Sequence, residues 1–275
     1  MIRSGLLGRS ILASRSPELH EKEARAQSLD LSYELFDFTA RGWQDADLGE
    51  VLKRLVADGF SGFNVTYPFK QAVLPLLDAL DESAVAVGAV NTVSISNGRL
   101  TGYNTDMAGF RDSIVEGLPD AALGSVVQLG AGGAGAAVAN ALLSLGVSTL
   151  QLLDVDENRA NLLACDLSAR FRSVRIAAAT PDRAETGTAD GIVNATPIGM
   201  NGNPGLPLAD ELVERRLWVA DIIYFPPETE LLRVARSRGC RTLNGIGMVV
   251  GQAARAFEII TGHVADRGRM ALSLK

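Results

Sequence analysis

Short apolar runs alternate with amphipathic stretches through the N-terminal part of the chain. Apolar residues that recur every three or four positions predict helices at Pro17 to Leu29 and Trp43 to Ala57, because this spacing places them on one helical face. Runs with the length and composition of strands lie at Ile2 to Gly8, Tyr33 to Phe38 and Phe60 to Val65. Parallel strands need a crossover helix between them, so this alternation predicts a mainly parallel sheet.

A hairpin signal interrupts the alternation. Val90 to Ser96 and Arg99 to Tyr103 flank Asn97-Gly98, a dipeptide that tolerates the positive φ angles of a type I′ turn. These two runs predict an antiparallel piece joined to the parallel sheet. A helical stretch from Asp106 to Glu116 follows, and then the turn-rich sequence GLPDAALG. We therefore place a domain boundary near Thr105.

A second series of strands and helices begins after this boundary. Its pattern predicts five strands with crossover helices, which together make a small doubly wound sheet. The last helical pattern, Met248 to Thr261, follows the series, and we expect it to return to the first domain. Residues 1–105 with 244–275 are then one discontinuous domain and residues 106–243 the other. The predicted strands of the second series are Val126–Leu129, Thr149–Leu153, Val174–Ala177, Gly191–Asn194 and Trp218–Ile223, and its helices are Ala134–Leu145 and Glu157–Phe171.

The composition indicates a globular protein of the α/β class and argues against several kinds of partner. The 275 residues are 47% hydrophobic, as in globular proteins. The 26 basic and 32 acidic residues give a net charge of −6, whereas proteins that bind nucleic acids usually carry an excess of basic residues. Cys165 and Cys240 form no CxxC or Cys/His pattern, so neither a metal site nor a disulfide framework is indicated, which suits a reducing cytoplasm. Glycines interrupt the most apolar stretch, Val126 to Leu145, and the N-terminus lacks the apolar segment of a signal peptide, so we expect no membrane role.

The sequence GAGGAG stands directly between a predicted strand and a predicted helix. Gly130, Gly132 and Gly135 form the GxGxxG pattern, in which glycines permit a tight turn, close backbone approach to a pyrophosphate and close helix packing. The helix N-terminus then offers free N–H groups to the anion. Asp154 ends the next strand, where a carboxylate can accept hydrogen bonds from the adenosine ribose. We therefore predict a Rossmann-like dinucleotide-binding domain; the alternative is a glycine-rich turn with Asp154 as a helix cap.

The charges after that strand favour NAD over NADP. An NADP site usually supplies arginines to the 2′-phosphate, whereas Asp154, Asp156 and Glu157 precede Arg159 in this chain. Arg159 could stack on the adenine or form a surface ion pair with Asp156 or Glu157. The sequence leaves that choice open.

Three further places combine polar groups with a predicted helix start. Ser14 and Ser16 before Pro17 are consistent with an ordinary helix cap, but two hydroxyl donors beside a helix N-terminus could also hold a small carboxylate. Lys70 starts a helix after the strand in GFNVTYPFK, a position that is unfavourable for a cation beside the helix dipole. Asp106 in GYNTDMAGF is either a capping residue or a functional carboxylate.

Together these segments resemble the shikimate dehydrogenase family, and its quinate/shikimate dehydrogenase branch in particular. The resemblance covers nearly the whole chain and includes several motifs in order. They are SRSP with His20, GFNVTYPFK, GAVNT, YNTDMAG, GAGGAG, NATPIGM, DIIYFPPET and NGIGMVVGQA.

This resemblance implies NAD-dependent, reversible oxidation of the C3 hydroxyl of shikimate or quinate to the 3-dehydro acid. Lys70 and Asp106 would be the catalytic pair, and Ser14 and Ser16 would hold the substrate carboxylate. Thr66, Asn91, Asp106 and Gln252 would bind the ring hydroxyls, and Tyr224 would face the substrate. The implied cofactor residues are Gly130, Ala131, Gly132, Gly133, Ala134, Asp154, Arg159, Thr196, Ile222 and Gly245.

Departures from the common family pattern leave alternatives open. DVDENRA replaces an NRTxxR-like segment and removes one of two arginines that would grip a 2′-phosphate, which favours NAD and a catabolic, quinate-using role. NGIGM resembles both branches, so the substrate stays open. The alternatives are an NADP-linked biosynthetic shikimate dehydrogenase and a noncatalytic NAD-binding or metabolite-binding protein on the same scaffold. The expected oligomeric state is monomer or homodimer, and Lys70 could be either the base or an electrostatic stabiliser.

Overall fold

The computed structural model describes residues 1–274, and these form two compact α/β units. One unit comprises Met1–Thr105 and the segment from Val250 onward, and the other comprises Asp106–Val249. Lys275, the last residue of the predicted first domain, lies outside the described residues. Among residues 1–274, no helix has both the length and the apolar character needed to cross a membrane.

The first unit contains a six-stranded mixed sheet in the order β2-β1-β3-β5-β6-β4. The strands β2, β1 and β3 are parallel, β3, β5 and β6 are antiparallel, and β4 pairs parallel with β6. Both predicted parts of this sheet are confirmed. Its elements are β1 (Ile2–Gly8), α1 (Ser16–Ala26), β2 (Leu31–Asp37), α2 (Leu48–Ala57), β3 (Gly62–Val65), α3 (Phe69–Ala72), β4 (Ala79–Leu80), α4 (Glu82–Val87), β5 (Thr92–Ser96) and β6 (Arg99–Tyr103).

Local sequence explains these elements well. The buried side chains of α2 are Leu48, Val51, Leu52 and Leu55, the spacing that lines one helical face. The hairpin prediction is confirmed, since Asn97 and Gly98 have φ angles of 52° and 77° between β5 and β6. The core of this unit includes the fully buried rings of Phe38 and Phe63 and the side chain of Leu7.

The second unit contains a six-stranded sheet that is parallel throughout, in the order β12-β11-β10-β7-β8-β9. Counted within the unit, this is the 3-2-1-4-5-6 order of a Rossmann-like sheet. The remaining elements are α5 (Thr105–Gly117), β7 (Ser125–Leu129), α6 (Gly133–Ser144), β8 (Thr149–Leu153), α7 (Glu157–Arg170), β9 (Arg175–Ala179), β10 (Gly191–Asn194), β11 (Trp218–Asp221), α8 (Glu230–Ser237), β12 (Arg241–Leu243), α9 (Ile246–Thr261) and α10 (Arg267–Leu272).

Both faces of the sheet are buried at its central strands, which explains their largely apolar sequences. Val126 in β7 packs with one apolar cluster and the adjacent Val127 with another. Successive strand residues point to opposite faces, so a strand covered on both sides is apolar at most positions. The prediction of five strands was wrong by one, because β12 is a short edge strand whose three residues are exposed or half-buried. Its residues carry no long apolar run.

Candidate active site

The loop between β1 and α1 is held in place by Asp37, the last residue of β2. Burial by itself would raise the pKa of this carboxyl, but hydrogen bonds from backbone N–H groups outweigh burial and the pKa of Asp37 is lowered. The ionised carboxylate therefore fixes the start of the loop that carries Ser14. The donors are the N–H groups of Ser10, Ile11, Thr39 and Ala40, at 3.0, 2.7, 2.9 and 3.2 Å.

Ser14 and Ser16 lie next to each other at the start of α1. The Ser16 N–H donates to Ser14 Oγ at 3.2 Å, and the two hydroxyl oxygens are 3.1 Å apart. The helix-cap interpretation was wrong, because the N-cap residue is Arg15 and no side chain caps the helix. The Arg15 guanidinium donates to Glu18 at 2.9 and 3.1 Å. The two serines thus form a pair of neutral hydroxyls, and the cation between them in sequence is engaged by a carboxylate.

Thr66 and Lys70 follow β3. The Thr66 N–H donates to the carbonyl of Leu7 at 2.9 Å, which holds Thr66 beside β1. Lys70 is the second residue of α3 and is half-buried. Its backbone carbonyl accepts a hydrogen bond from the N–H of Val90 at 2.8 Å. The backbone of Lys70 is therefore held against the segment that carries Asn91.

Asn91 and Gln252 meet through Thr105. The Thr105 N–H donates to Asn91 Oδ1 at 2.8 Å, and Asn91 Nδ2 donates to Thr105 Oγ1 at 2.9 Å. Thr105 Oγ1 in turn lies 3.5 Å from Gln252 Oε1. Because a backbone N–H can only donate, the hydrogen bond from the Thr105 N–H shows which side-chain amide atom of Asn91 is the oxygen. All three side chains belong to the first unit, although Gln252 is far away in sequence.

Asp106, the other predicted catalytic residue, follows Thr105 directly and is the second residue of α5. It is buried and belongs to the second unit. The first unit thus brings together Ser14 with Ser16, and Asn91 with Gln252 near the backbone of Lys70. The pairing of Lys70 with Asp106 stays a prediction.

The glycine-rich loop between β7 and α6 has the shape that a pyrophosphate requires. Gly130 has a φ angle of +98°, and a Cβ there would lie 2.6 Å from the carbonyl oxygen of Ala195. A Cβ on Gly135 would lie 2.2 Å from the backbone oxygen of Gly130. Glycine at position 135 therefore allows the helix to pack closely against the turn. Cβ atoms on Gly132 and Gly133 would meet no atom within 4 Å. Open space therefore lies beside the N-terminus of α6, and these residues fit a dinucleotide phosphate.

Asp154 is tied to this loop. Its Oδ2 accepts from the N–H of Ala131 at 2.8 Å, and its Oδ1 accepts from the N–H of Asp156 at 3.0 Å. Arg159 lies 3.5 Å from Asp154 and 3.7 Å from Asp156. The ion pair with Asp156 is one of the options that the sequence left open, whereas the contact with Asp154 was not predicted. The N-cap of α7 is Asp156, and so the alternative of Asp154 as a helix cap was wrong. A carboxylate and a partly neutralised arginine therefore stand at the carboxyl end of β8.

The other predicted cofactor residues lie at the same edge of the second sheet. The Thr196 N–H and hydroxyl both donate to Asn194 Oδ1, at 3.0 and 2.7 Å, just after β10. Ile222 follows β11, and a Cβ on Gly245 would lie 2.0 Å from its carbonyl oxygen. Tyr224 follows in the same loop and is exposed. The strand order reverses between β7 and β10, the place where ligands bind in sheets of this kind.

Family models match both ends of the chain. Residues 6–93 match the model described as "Shikimate dehydrogenase substrate binding domain". Residues 245–271 match the model described as "Shikimate 5'-dehydrogenase C-terminal domain". The first match contains Ser14, Ser16, Thr66, Lys70 and Asn91, and the second contains Gly245 and Gln252.

Relatives and solved structures align over nearly the full length. The chain is 50% identical over 268 residues to a "Shikimate dehydrogenase (NADP(+))" of Streptomyces avermitilis, covering 97% of this chain and 92% of that protein. It is 44% identical over 269 residues to a "Quinate/shikimate dehydrogenase (NAD(+))" of Corynebacterium glutamicum, covering 97% and 95%. The structure of a quinate dehydrogenase from Corynebacterium glutamicum in complex with NAD superposes with a TM-score of 0.93 at 43% identity, covering 99% of this chain and 98% of that one. The chain belongs to the shikimate dehydrogenase family.

As a member of the shikimate dehydrogenase family, the protein is an NAD(P)-dependent oxidoreductase that acts on a CH–OH group. The resemblance predicted from the motifs is thus confirmed. The choice between NAD and NADP is not resolved by these relatives, because relatives of each kind align equally completely.

Sequence patterns missed several polar residues of this family member that support the predicted site. Asn64, Tyr33 and Thr92 are buried and hydrogen-bonded to one another, and Asn64 and Thr92 also hydrogen-bond Asn91. Gln128 Nε2 donates to the carbonyls of Gly130 and Gly135, at 2.9 and 2.8 Å, and so braces the glycine-rich loop. A usable signal was present, since Asn64 and Gln128 interrupt strands that are otherwise apolar, and a buried amide requires partners.

The buried His20 is expected to make the free energy of unfolding of this shikimate dehydrogenase family member depend on pH. It is buried and stacks on Tyr33 with ring centroids 4.7 Å apart, and burial lowers its pKa to about 4. Between pH 6.5 and 4 the unfolded chain therefore binds a proton that the native protein does not, so stability falls as the pH falls through this window. The full loss is about 3 kcal/mol. Urea unfolding at several pH values measures it.

His20→Phe is the comparison for this measurement, because it keeps an aromatic ring against Tyr33 and removes the titration. The difference in free energy of unfolding between the two proteins is expected to change between pH 6.5 and 4 and to be constant above pH 7. Parallel curves for the two proteins over the whole range would contradict the assignment. Carboxylates such as Asp37 contribute equally to both curves.

Proposed function

We propose that this protein catalyses the reversible, NAD-dependent oxidation of the C3 hydroxyl of shikimate, quinate or both to the 3-dehydro acid. The observation that carries the proposal is the cluster of neutral hydrogen-bonding side chains in the first unit, Ser14 with Ser16 and Asn91 with Gln252, beside the backbone of Lys70. A ring acid with several hydroxyls needs many donors and acceptors and few charges, and hydroxyl and amide groups supply both. The names of the relatives support the same substrates.

The two predicted domains have different main parts in the proposed reaction. Most acid-binding residues lie in residues 1–105 with 244–275, and most dinucleotide-binding residues lie in residues 106–243. The exceptions are Asp106, Tyr224 and Gly245. The description of the model that matches residues 6–93 supports this division. Ser14 and Ser16 hold the carboxylate, while Thr66, Asn91, Asp106 and Gln252 bind ring hydroxyls and Tyr224 faces the substrate.

Lys70 and Asp106 act on the reacting hydroxyl in this proposal. Lys70 stabilises negative charge on the C3 oxygen as this charge develops and passes the hydroxyl proton on to water, and Asp106 orients both the hydroxyl and Lys70. A bound dinucleotide would supply the acceptor for the hydride from C3. The backbone of Gly130, Ala131, Gly132, Gly133 and Ala134 holds the pyrophosphate, and Asp154, Arg159, Thr196, Ile222 and Gly245 line the rest of that site.

Asp154 supports NAD as the dinucleotide. Its carboxylate is fixed at the carboxyl end of β8, where the adenosine ribose binds in Rossmann-like domains. A 2′-phosphate would bring a like charge to this position, which is unfavourable by several kcal/mol where both are desolvated. The second candidate is an NADP-linked shikimate dehydrogenase. The relative at 50% identity and the half-exposed guanidinium of Arg159 favour it.

Replacing Asp154 tests the choice of dinucleotide. Asp154→Asn keeps an oxygen for the N–H of Ala131 and removes the charge, so the ratio of kcat/KM with NAD to kcat/KM with NADP is expected to fall at least about tenfold. Glu157→Gln is the matched control, since it removes an equal charge three residues away from an exposed side chain. A ratio that responds equally in both variants would show a general charge effect and contradict the role of Asp154.

The proposed function is tested by initial rates on the purified protein with shikimate and quinate, each with NAD and with NADP. Turnover of either acid with a clear preference for NAD is expected. A preference for NADP with shikimate alone would establish the second candidate. Binding of the dinucleotide without turnover of either acid would instead establish a noncatalytic protein on this scaffold.

A further inference from the structure

Gln128 is a fully buried amide in the middle of the second sheet. It belongs to β7, which lies between β10 and β8, and it stands between the apolar Val127 and Leu129. Its Nε2 lies 2.9 Å from the carbonyl oxygen of Gly130 and 2.8 Å from that of Gly135. Both oxygens can only accept, so this amide atom is the nitrogen. Its two protons are therefore directed to the turn and to the helix that follow β7.

The Gly130–Ala131 peptide unit is held on both sides. Its carbonyl accepts from Gln128 Nε2, and its N–H donates to Asp154 Oδ2 at 2.8 Å. This peptide bond is trans, so its carbonyl and its N–H point in opposite directions. Gly130 has a φ angle of +98°, and glycine places the fewest steric limits on rotation of its peptide unit. The two hydrogen bonds therefore supply a restraint that the missing side chain does not.

The amide of Gln128 is satisfied at its nitrogen only. Its Oε1 is buried and accepts no hydrogen bond from residues 1–274. An acceptor buried without a donor destabilises a fold, and an apolar side chain of similar length avoids this loss. Packing alone thus does not favour glutamine over methionine at this position. What glutamine adds is the pair of hydrogen bonds to the glycine-rich loop and its helix.

We propose that Gln128 is a positioning residue for the dinucleotide, because it fixes the Gly130–Ala131 peptide unit from which the backbone of residues 132–134 continues. The inference rests on the proposed function, in which this backbone holds the pyrophosphate. The first N–H groups of a helix have no partner within the helix, and the turn before them sets where they point. With Gln128 in place, the turn is ordered before the dinucleotide arrives, so binding loses less entropy.

Gln128→Met tests the proposal because it removes both hydrogen bonds and keeps a side chain of similar length. The Kd for the dinucleotide is expected to rise about tenfold, the loss of one to two net hydrogen bonds, while kcat at saturating dinucleotide changes less than about twofold. The Tm without dinucleotide is expected to change by less than about 4 °C. The variant removes the unpartnered Gln128 oxygen, and in exchange the Gly130 oxygen loses its donor. Calorimetry of the same samples measures Kd and Tm.

Gln151→Met is the matched control. Gln151 is a buried glutamine in β8, the strand next to β7, and both of its amide atoms are paired. Its Nε2 donates to the carbonyl of Arg183 at 3.0 Å, and its Oε1 accepts from the N–H of Glu185 at 2.9 Å. The same substitution there removes two hydrogen bonds from a loop without predicted cofactor residues, so the Kd for the dinucleotide is expected to stay unchanged. An equal rise of Kd in both variants would show a general loosening of the sheet and overturn the proposal.

Hydrogen exchange in the protein without dinucleotide measures how firmly the peptide unit is held. The Ala131 N–H is bound to Asp154, and Gln128→Met is expected to speed its exchange at least about tenfold while the amides of β8 exchange as in the wild type. A merely structural role predicts that exchange rises throughout β7 and β8 or in neither, without a specific effect at Ala131. Either of those results would overturn the proposal.

The outcomes separate this inference from the proposed function. A wild-type protein that binds neither NAD nor NADP contradicts the proposed function, and the positioning role of Gln128 with it. A wild-type protein that binds a dinucleotide, together with a Gln128→Met variant of unchanged Kd, contradicts the positioning role alone. Should Gln128→Met fold poorly, Gln128→Asn supplies the same comparison, because it keeps an amide and shortens the side chain by one methylene, which draws the amide away from both carbonyls.

Discussion

Replacing Lys70 by Met is expected to lower kcat with shikimate or quinate at least about a hundredfold, with a smaller change in KM. Methionine keeps much of the length of the side chain at this half-buried position and removes its charge and protons. In the proposed reaction, Lys70 stabilises charge that develops only as the C3 proton leaves. Loss of such an interaction lowers kcat rather than substrate affinity. Steady-state rates under saturating NAD measure the effect.

Three further variants give this prediction its controls. Lys53→Met changes an exposed lysine of the same unit and is expected to leave kcat unchanged, since its ion pair with Glu50 is at the surface. Lys70→Arg keeps a cation that does not deprotonate, so substantial activity there would identify an electrostatic stabiliser and its absence a base. Asp106→Asn is expected to lower kcat as well. A kcat for Lys70→Met equal to that of the wild type would remove Lys70 from the mechanism.

Replacing Gly132 by Val is expected to raise the Kd for the dinucleotide at least tenfold, roughly the loss of one phosphate contact, with no change in Tm. Gly132 has the extended backbone angles φ −76° and ψ −168°, which any residue adopts, and a Cβ there would meet no protein atom within 4 Å. The new side chain therefore occupies only the open space where the pyrophosphate is proposed to bind. Calorimetric titration and thermal unfolding of the same samples measure both quantities.

Two other glycines of the second unit show whether this effect is specific. Gly187→Val is the matched control, because Gly187 is exposed and also has open space around its Cβ position, and both Kd and Tm are expected to stay unchanged. Gly135→Val is expected to lower Tm strongly, since its Cβ would lie 2.2 Å from the Gly130 backbone oxygen. A Gly132→Val protein that binds the dinucleotide as tightly as the wild type would place the pyrophosphate elsewhere.

Local pattern determined much of this protein in advance. Residues such as Leu48, Val51 and Leu52 lie on one helical face whatever the rest of the chain does, because the spacing follows from the geometry of the helix. Asn97-Gly98 and GAGGAG were equally informative, since they need φ angles or close approaches that other residues do not tolerate. The family and the candidate site residues followed from motifs of this kind.

Contacts between distant segments decided the rest. β12 was missed because an edge strand of three residues is defined by pairing with β11 rather than by its own apolar pattern. The ion pairs of Arg159 with Asp154 and Asp156 depend on side-chain positions that the sequence pattern does not specify. Tyr33 and Asn64 are 31 residues apart, and nothing in either segment requires the other. Sequence thus determined most of the elements and the side-chain chemistry available to them. The partners of the buried polar groups were set only by the folded chain, which excludes water and leaves few donors and acceptors within reach.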